Sequence, residues 1–173
     1  MKNLLETVQQ QQLSFVHSRE LNELDIFSTP AKISRGENYL GLPWLILDYP
    51  RTTSSNSIFF IRTMFWWGKF FSSTLHLSGQ YKMQFEKLVI NSFEKLAEFY
   101  LGVSEDPWVH HFETSNYKKI GLLNPQEFET ICKRTAHLKI AAHWPLSRWM
   151  EADEFLLNNW KFLIGIAIER CGM

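Results

Sequence analysis

The chain has little of what marks the common functional classes. It carries only two cysteines in 173 residues, Cys132 and Cys171, and they form no Cys-x-x-Cys pair. That excludes a disulfide-dense secreted scaffold and a four-cysteine zinc site. Two isolated cysteines read as reduced thiols, with a cytoplasmic location expected. A long hydrophobic run is also missing. The most apolar segment, Trp160–Ile168, contains Lys161 and falls far short of the ~20 residues a spanning helix needs. The first fifteen residues have a lysine but no continuous apolar stretch of the kind a secretory signal carries. No membrane association is therefore expected. Neither charge sign is in excess, with 18 Lys+Arg against 18 Asp+Glu. Nucleic-acid binders usually show a basic surplus, because phosphate contacts supply most of their non-specific affinity, so no nucleic-acid partner is expected. There is no GxGxxG, Walker A loop, HExxH, GxSxG or EF-hand loop, and so no motif that names a cofactor or a reaction.

What the chain does have is rings: 14 Phe, 7 Trp and 5 Tyr. Side chains of that size dominate cores and pockets. A chain of this length can bury roughly 70% of its unfolded surface in one domain without staples. No internal repeat or linker divides it, and a single domain over residues 1–173 is expected.

Periodicity gives the elements. Leu4, Leu5, Val8, Gln12 and Phe15 are spaced for a helix over 3–17. Residues 28–38, with Pro30 and Gly36, read as a loop. Trp44–Leu47 is β-rich, and Pro43 places that strand's start nearby or puts the strand at a sheet edge. Residues 58–78 form two aromatic, β-branched runs around Gly68-Lys69, the pattern of a hairpin with a two-residue turn. That register pairs Arg62 with Leu75 and Ile61 with His76, which puts Arg62 and His76 on opposite faces. Residues 81–101 carry an i, i+3, i+4 pattern ending before Gly102. Pro107–Thr114 reads as a strand and residues 117–123 as a short strand or loop. Asn124, Pro125 and Glu127 signal the start of a helix over 125–135. Residues 136–144 alternate as a strand, and a last helix over 148–170 ends at Gly172. The order implies an α+β fold: a mostly antiparallel sheet of about five strands with a central hairpin, packed against four helices.

Three constellations are candidates for chemistry. His76, His111, Glu113 and His143 all fall on expected strands, and two or three histidines with a carboxylate make a zinc or non-haem iron set; a metal-dependent enzyme is the reading they would support. The bland account is scattered, hydrogen-bonded histidines. Arg62 lies near Asp48 and Arg51. It can clamp a ligand carboxylate or phosphate by its planar fork, or pair internally with Asp48 or Glu113. The aromatic set Trp44, Trp66, Trp67, Phe70, Phe71, Trp108 and Trp144 can line a ligand pocket or fill a core. The reading these support is a small anionic or aromatic ligand bound by Arg62, His76, Trp66 and Trp144. Its competitors are the metal enzyme and a homodimeric interaction protein. Cys132 reads as structural, and Lys118-Lys119 and Lys133-Arg134 as solvated surface.

Overall fold

The computed structural model describes residues 1–54 and 56–168. Seven antiparallel strands form one sheet: β1 (Lys32–Tyr39), β2 (Leu42–Ser54), β3 (Ser57–Trp66), β4 (Phe70–Ser78), β5 (Tyr100–Gly102), β6 (Tyr117–Lys119) and β7 (His137–Pro145). Their spatial order is β1-β2-β3-β4-β7-β5-β6. Four α-helices among the described residues accompany them: α1 (Lys2–Ser18), α2 (Gly79–Asn91), α3 (Pro125–Arg134) and α4 (Ala152–Ile168). The α+β class stands, with seven strands rather than about five. The expected stop at Gly172, and Cys171 itself, lie outside the described residues.

Helix α1 starts and ends within a residue of its apolar pattern, burying Leu5, Val8, Gln12 and Val16. Helix α3 begins as its sequence dictates. The Asn124 side chain accepts from Glu127 N and the Glu127 carboxylate accepts from Asn124 N, which meets two of the backbone donors a helix start leaves open.

Four expectations need correction. Residues 28–38 do not stay a loop, because Lys32–Tyr39 pairs with β2 as an edge strand. Gly36 hides that strand in the sequence, yet only glycine fits: a Cβ there would sit 2.4 Å from the Trp44 ring. The helix over 81–101 stops at Asn91, where the Ser92 hydroxyl turns back to donate to the Leu88 carbonyl. One 3-10 turn follows, and Tyr100–Gly102 becomes β5. Pro107–Thr114 is not a strand; residues 103–116 cross the sheet as an irregular strap between β5 and β6.

The fourth correction concerns the hairpin. Trp66 pairs with Phe70, so Trp67, Gly68 and Lys69 form a three-residue connection, with Lys69 N donating to Trp66 O and Gly68 at φ +66°. The register shifts by one residue from the two-residue reading. Arg62 now faces Thr74, His76 faces Phe60, and Arg62 and His76 share a face.

One face of the sheet carries Leu47, Phe59, Ile61, Phe65, Phe71, Leu75, Leu77, Leu138 and Ile140, all buried. Helices α1, α2 and α4 cover it, the last with Leu156, Trp160 and Leu163. The Trp160 ring stacks on Tyr49, and its indole N–H donates to the Tyr49 carbonyl beside the β2 bulge. Near 25 cal/mol per Å2, such burial is the main source of stability. No described helix is long and apolar enough to cross a membrane.

Candidate functional site

The strap covers the other face, and the side chains beneath it are of a different kind. The alternate positions of β3, β4 and β7 bring Arg62, Thr74, His76, His137, Lys139 and His143 to this side. Burying a charge is costly unless it is paired or hydrogen-bonded; Arg62 and Lys139 meet that condition, whereas His76 does not. Arg62 donates from Nε to Asp48 Oδ1 at 2.8 Å and from Nη2 to Asp48 Oδ2 at 2.9 Å, a two-pronged ion pair across β2 and β3 with both side chains 14% exposed. Its Nη1 lies 3.3 Å from His110 Nε2. Arginine has no lone pair to offer, so that nitrogen of His110 is the acceptor. The guanidinium also lies over the Phe60 ring, 4.8 Å from its centroid. Of the readings weighed for Arg62, the internal pair with Asp48 is the one found.

Lys139, only 2% exposed, donates to the carbonyls of Pro107 and Val109 and sits 5.1 Å from the centre of the Tyr117 ring. Burial, and then the charge of Arg62, bring its ammonium down to about 7. The Tyr39 hydroxyl accepts from His110 N at 2.7 Å and lies 3.0 Å from His111 Nδ1. These bonds hang the strap on the sheet, with Trp108 between the two carbonyls that Lys139 holds.

Between strap and sheet lies a cleft of about 120 Å3. Ile46 and Met64 form its apolar lining, Tyr39, Trp44 and Trp108 its aromatic walls, and Arg62 and His110 its polar end. Trp108 is half exposed, so this wall is open to solvent.

The residues chosen from sequence are dispersed around this place. Arg62 lines the cleft. Trp66 lies in the small apolar cluster with Ile46 and Met64, its indole N–H donating to the Tyr39 carbonyl. His76 is further along the same face, against Phe60, Trp108 and His137. Trp144 is on the opposite face, stacked on Phe155 of α4, and cannot join them. The four residues of the metal set do not meet either. His111 is tied to Tyr39 and Asn116, with Glu113 3.9 Å away and largely exposed. His143 packs against Phe112 and Tyr100. Among the described residues no three His, Cys, Asp or Glu side chains come together in a metal-holding group.

Sequence reasoning missed His110, His137 and Lys139 as members of this face. One signal was available: in AHLKIAAHW the polar residues His137, Lys139 and His143 all fall on odd positions, marking a face that is not simple core. Cys132 is buried, and desolvation pushes its thiol up to about 12, which leaves it unreactive. Comparison with protein-family models, curated proteins and solved structures finds no match for this chain.

Proposed function

We propose that the protein binds a small planar ring in the cleft between the strap and strands β1 to β3. The observation that carries this reading is the cleft itself: apolar floor, aromatic walls and one polar end, the usual composition of a ligand site. At about 120 Å3 it is smaller than the few hundred Å3 of a typical small-molecule pocket, so the fitting object is one ring. That ring belongs to a small molecule or to a side chain presented by a partner.

The charge balance refines the ligand class. Because Asp48 already neutralises Arg62, the polar end carries little net attraction for an anion. The guanidinium keeps spare N–H groups, since two of its five donors go to Asp48 and one to His110. A neutral ring bearing a hydrogen-bond acceptor therefore suits it better than a carboxylate or a phosphate. This replaces the anionic half of the expectation drawn from the sequence.

The test is a titration with benzamide and benzoate followed by NMR of the Met64 methyl and the Trp108 indole. Benzamide should shift both signals with about millimolar affinity, benzoate should bind more weakly, and Trp108→Ala should abolish the shifts. If neither probe moves the Met64 methyl, the reading fails.

A further inference from the structure

The strap has little backbone pairing of its own. Val103 N donates to Asn116 O at its base, and the amides of Asn116 and Tyr117 turn back to Glu113 O. Lys139, Tyr39, the Arg62–His110 contact and a bond from His137 to the Ser104 backbone fasten it further, and its Trp108 and Phe112 rings pack on Phe60, Phe70 and His143.

What lies beneath it is a concentration of bases. His76 is 1% exposed and neither of its ring nitrogens has a hydrogen-bond partner. Its ring centroid is 5.7 Å from that of Trp108 and 5.7 Å from that of His137. His137 is 6% exposed, and its Nε2 is likewise unpartnered. His110, on the strap itself, accepts from Arg62. In all three, burial disfavours the imidazolium first, and the positive charge of Lys139 adds to it. His143, packed on Phe112 of the strap, is lowered by burial as well.

The surrounding charges offer little relief. Asp48 is committed to Arg62. Lys82 of α2, itself paired with Glu86, adds to the field against a protonated His137. Asp106 of the strap favours protonation of His137 and Lys139, and its carboxylate accepts from Trp108 N. Glu105 lines a separate polar cleft with Arg134 and His137, and Glu113 is exposed beside His111. Tyr39 and Tyr117 are held un-ionised by burial and bring no charge in the acid range. Lys139, held to about 7, takes up its proton near neutrality, so its contribution falls at the upper end of the range and the imidazoles carry the dependence below it.

We propose that the strap is an acid-released wall of the cleft: when the imidazoles beneath it take up protons, it lifts from the sheet and carries Trp108 and His110 away from Arg62 and Met64. Lifting hydrates the new charges at the cost of a few side-chain bonds and the ring packing of Trp108 and Phe112, and leaves the ladders of β1 to β4 and β7 intact. The release stands on the base cluster and the strap's fastening alone. Its consequence for binding rests on the function proposed above.

The experiment is 19F NMR of 5-fluorotryptophan-labelled protein between about pH 7.5 and about pH 4.5, with signals assigned by Trp108→Phe and Trp160→Phe. The Trp108 signal should move cooperatively to that of a solvated indole below about pH 6.5, while that of Trp160, in the helix-covered core, stays in place. His76→Phe should shift the midpoint down by about half a pH unit or more, and His137→Phe, made in parallel, should do the same. The proposal is overturned if Trp108 and Trp160 change together, if Trp108 stays fixed throughout, or if the midpoint is unmoved in every variant that folds. Benzamide titrated into the same samples separates the two claims. Binding lost in step with the Trp108 transition supports both. A Trp108 transition in protein that never bound benzamide removes the cleft reading and leaves the release intact.

Discussion

The two faces of the sheet are made from alternate residues of the same strands, yet they solve the problem of burial differently. On the helix side, Phe59, Phe65, Phe71, Leu75 and Leu77 meet α1, α2 and α4, and stability comes from excluded water and close packing. On the strap side, Arg62, His76, His137 and Lys139 sit at comparable depth, under a segment without regular structure. There the backbone carbonyls of the strap find their donor in a lysine, and the arginine finds its acceptors in Asp48. Helices satisfy their own backbone and can lie on an apolar surface, whereas an irregular segment needs polar partners wherever it is buried. A polar face under an irregular cover is therefore one coupled feature, and both proposals made above rest on it. The helix face has polar exceptions of its own: Gln12, Thr63 and Ser73 are buried with side chains that make no hydrogen bond.

Substitutions on the two faces should differ in kind, and the largest effect belongs to the helix side. Phe71→Ala removes a fully buried ring that contacts Phe65, Trp149 and Phe155, and should cost about 3–5 kcal/mol in urea unfolding. A smaller cost there would mean that the helix-covered core is not the principal source of stability. Next comes Arg62→Met, which strands the Asp48 carboxylate and should cost about 3 kcal/mol. Adding Asp48→Leu should restore most of that loss. A double variant no better than the single would show that the pair is not the unit that matters.

The pH prediction follows from the sign of the shift at His76. Its imidazole is held down to about 3, chiefly by burial, against an ordinary value near 6.5. The folded form with the strap down binds the neutral base, so its stability is complete above about 6.5 and declines as pH falls from there toward 3. By pH 5 the loss should reach about 2 kcal/mol, visible as a falling melting temperature, and His76→Phe should flatten that decline. Parallel pH profiles for the two proteins would sink this account of the strap face. The smallest effect is a gain. Thr63→Val replaces an unpartnered buried hydroxyl on the helix face with a methyl group and should stabilise by about 1 kcal/mol in thermal unfolding. A loss there would mean that the hydroxyl has a partner after all.

Much of the framework was legible because it rests on local rules. Helix α1 was visible in its apolar spacing, α3 in Asn124, Pro125 and Glu127, and the central hairpin in its two aromatic runs. Where local signals conflicted, tertiary packing won. Residues 92–101 continue a helical pattern, yet Tyr100 and Leu101 pair with β7 because the sheet offers them a ladder. Gly36 reads as a loop residue until the Trp44 ring occupies the space its side chain would need. The candidate site was legible only in part. Arg62 and Asp48 were singled out together, whereas Lys139 and His110 depend on where the strap lies, and the strap has no periodicity to read.

By itself the sequence determined the alternation along the central hairpin, the ends of α1 and α3, and an aromatic-rich α+β chain of balanced charge. These follow from steric and hydrogen-bonding rules that act within a few residues. Only the tertiary structure decided that Arg62 and His76 share a face, because one extra residue in the turn at Trp67–Lys69 reverses the side to which every partner points. It also decided that an irregular segment, rather than a helix, covers that face. That choice buries a row of basic side chains beneath backbone that needs polar partners of its own.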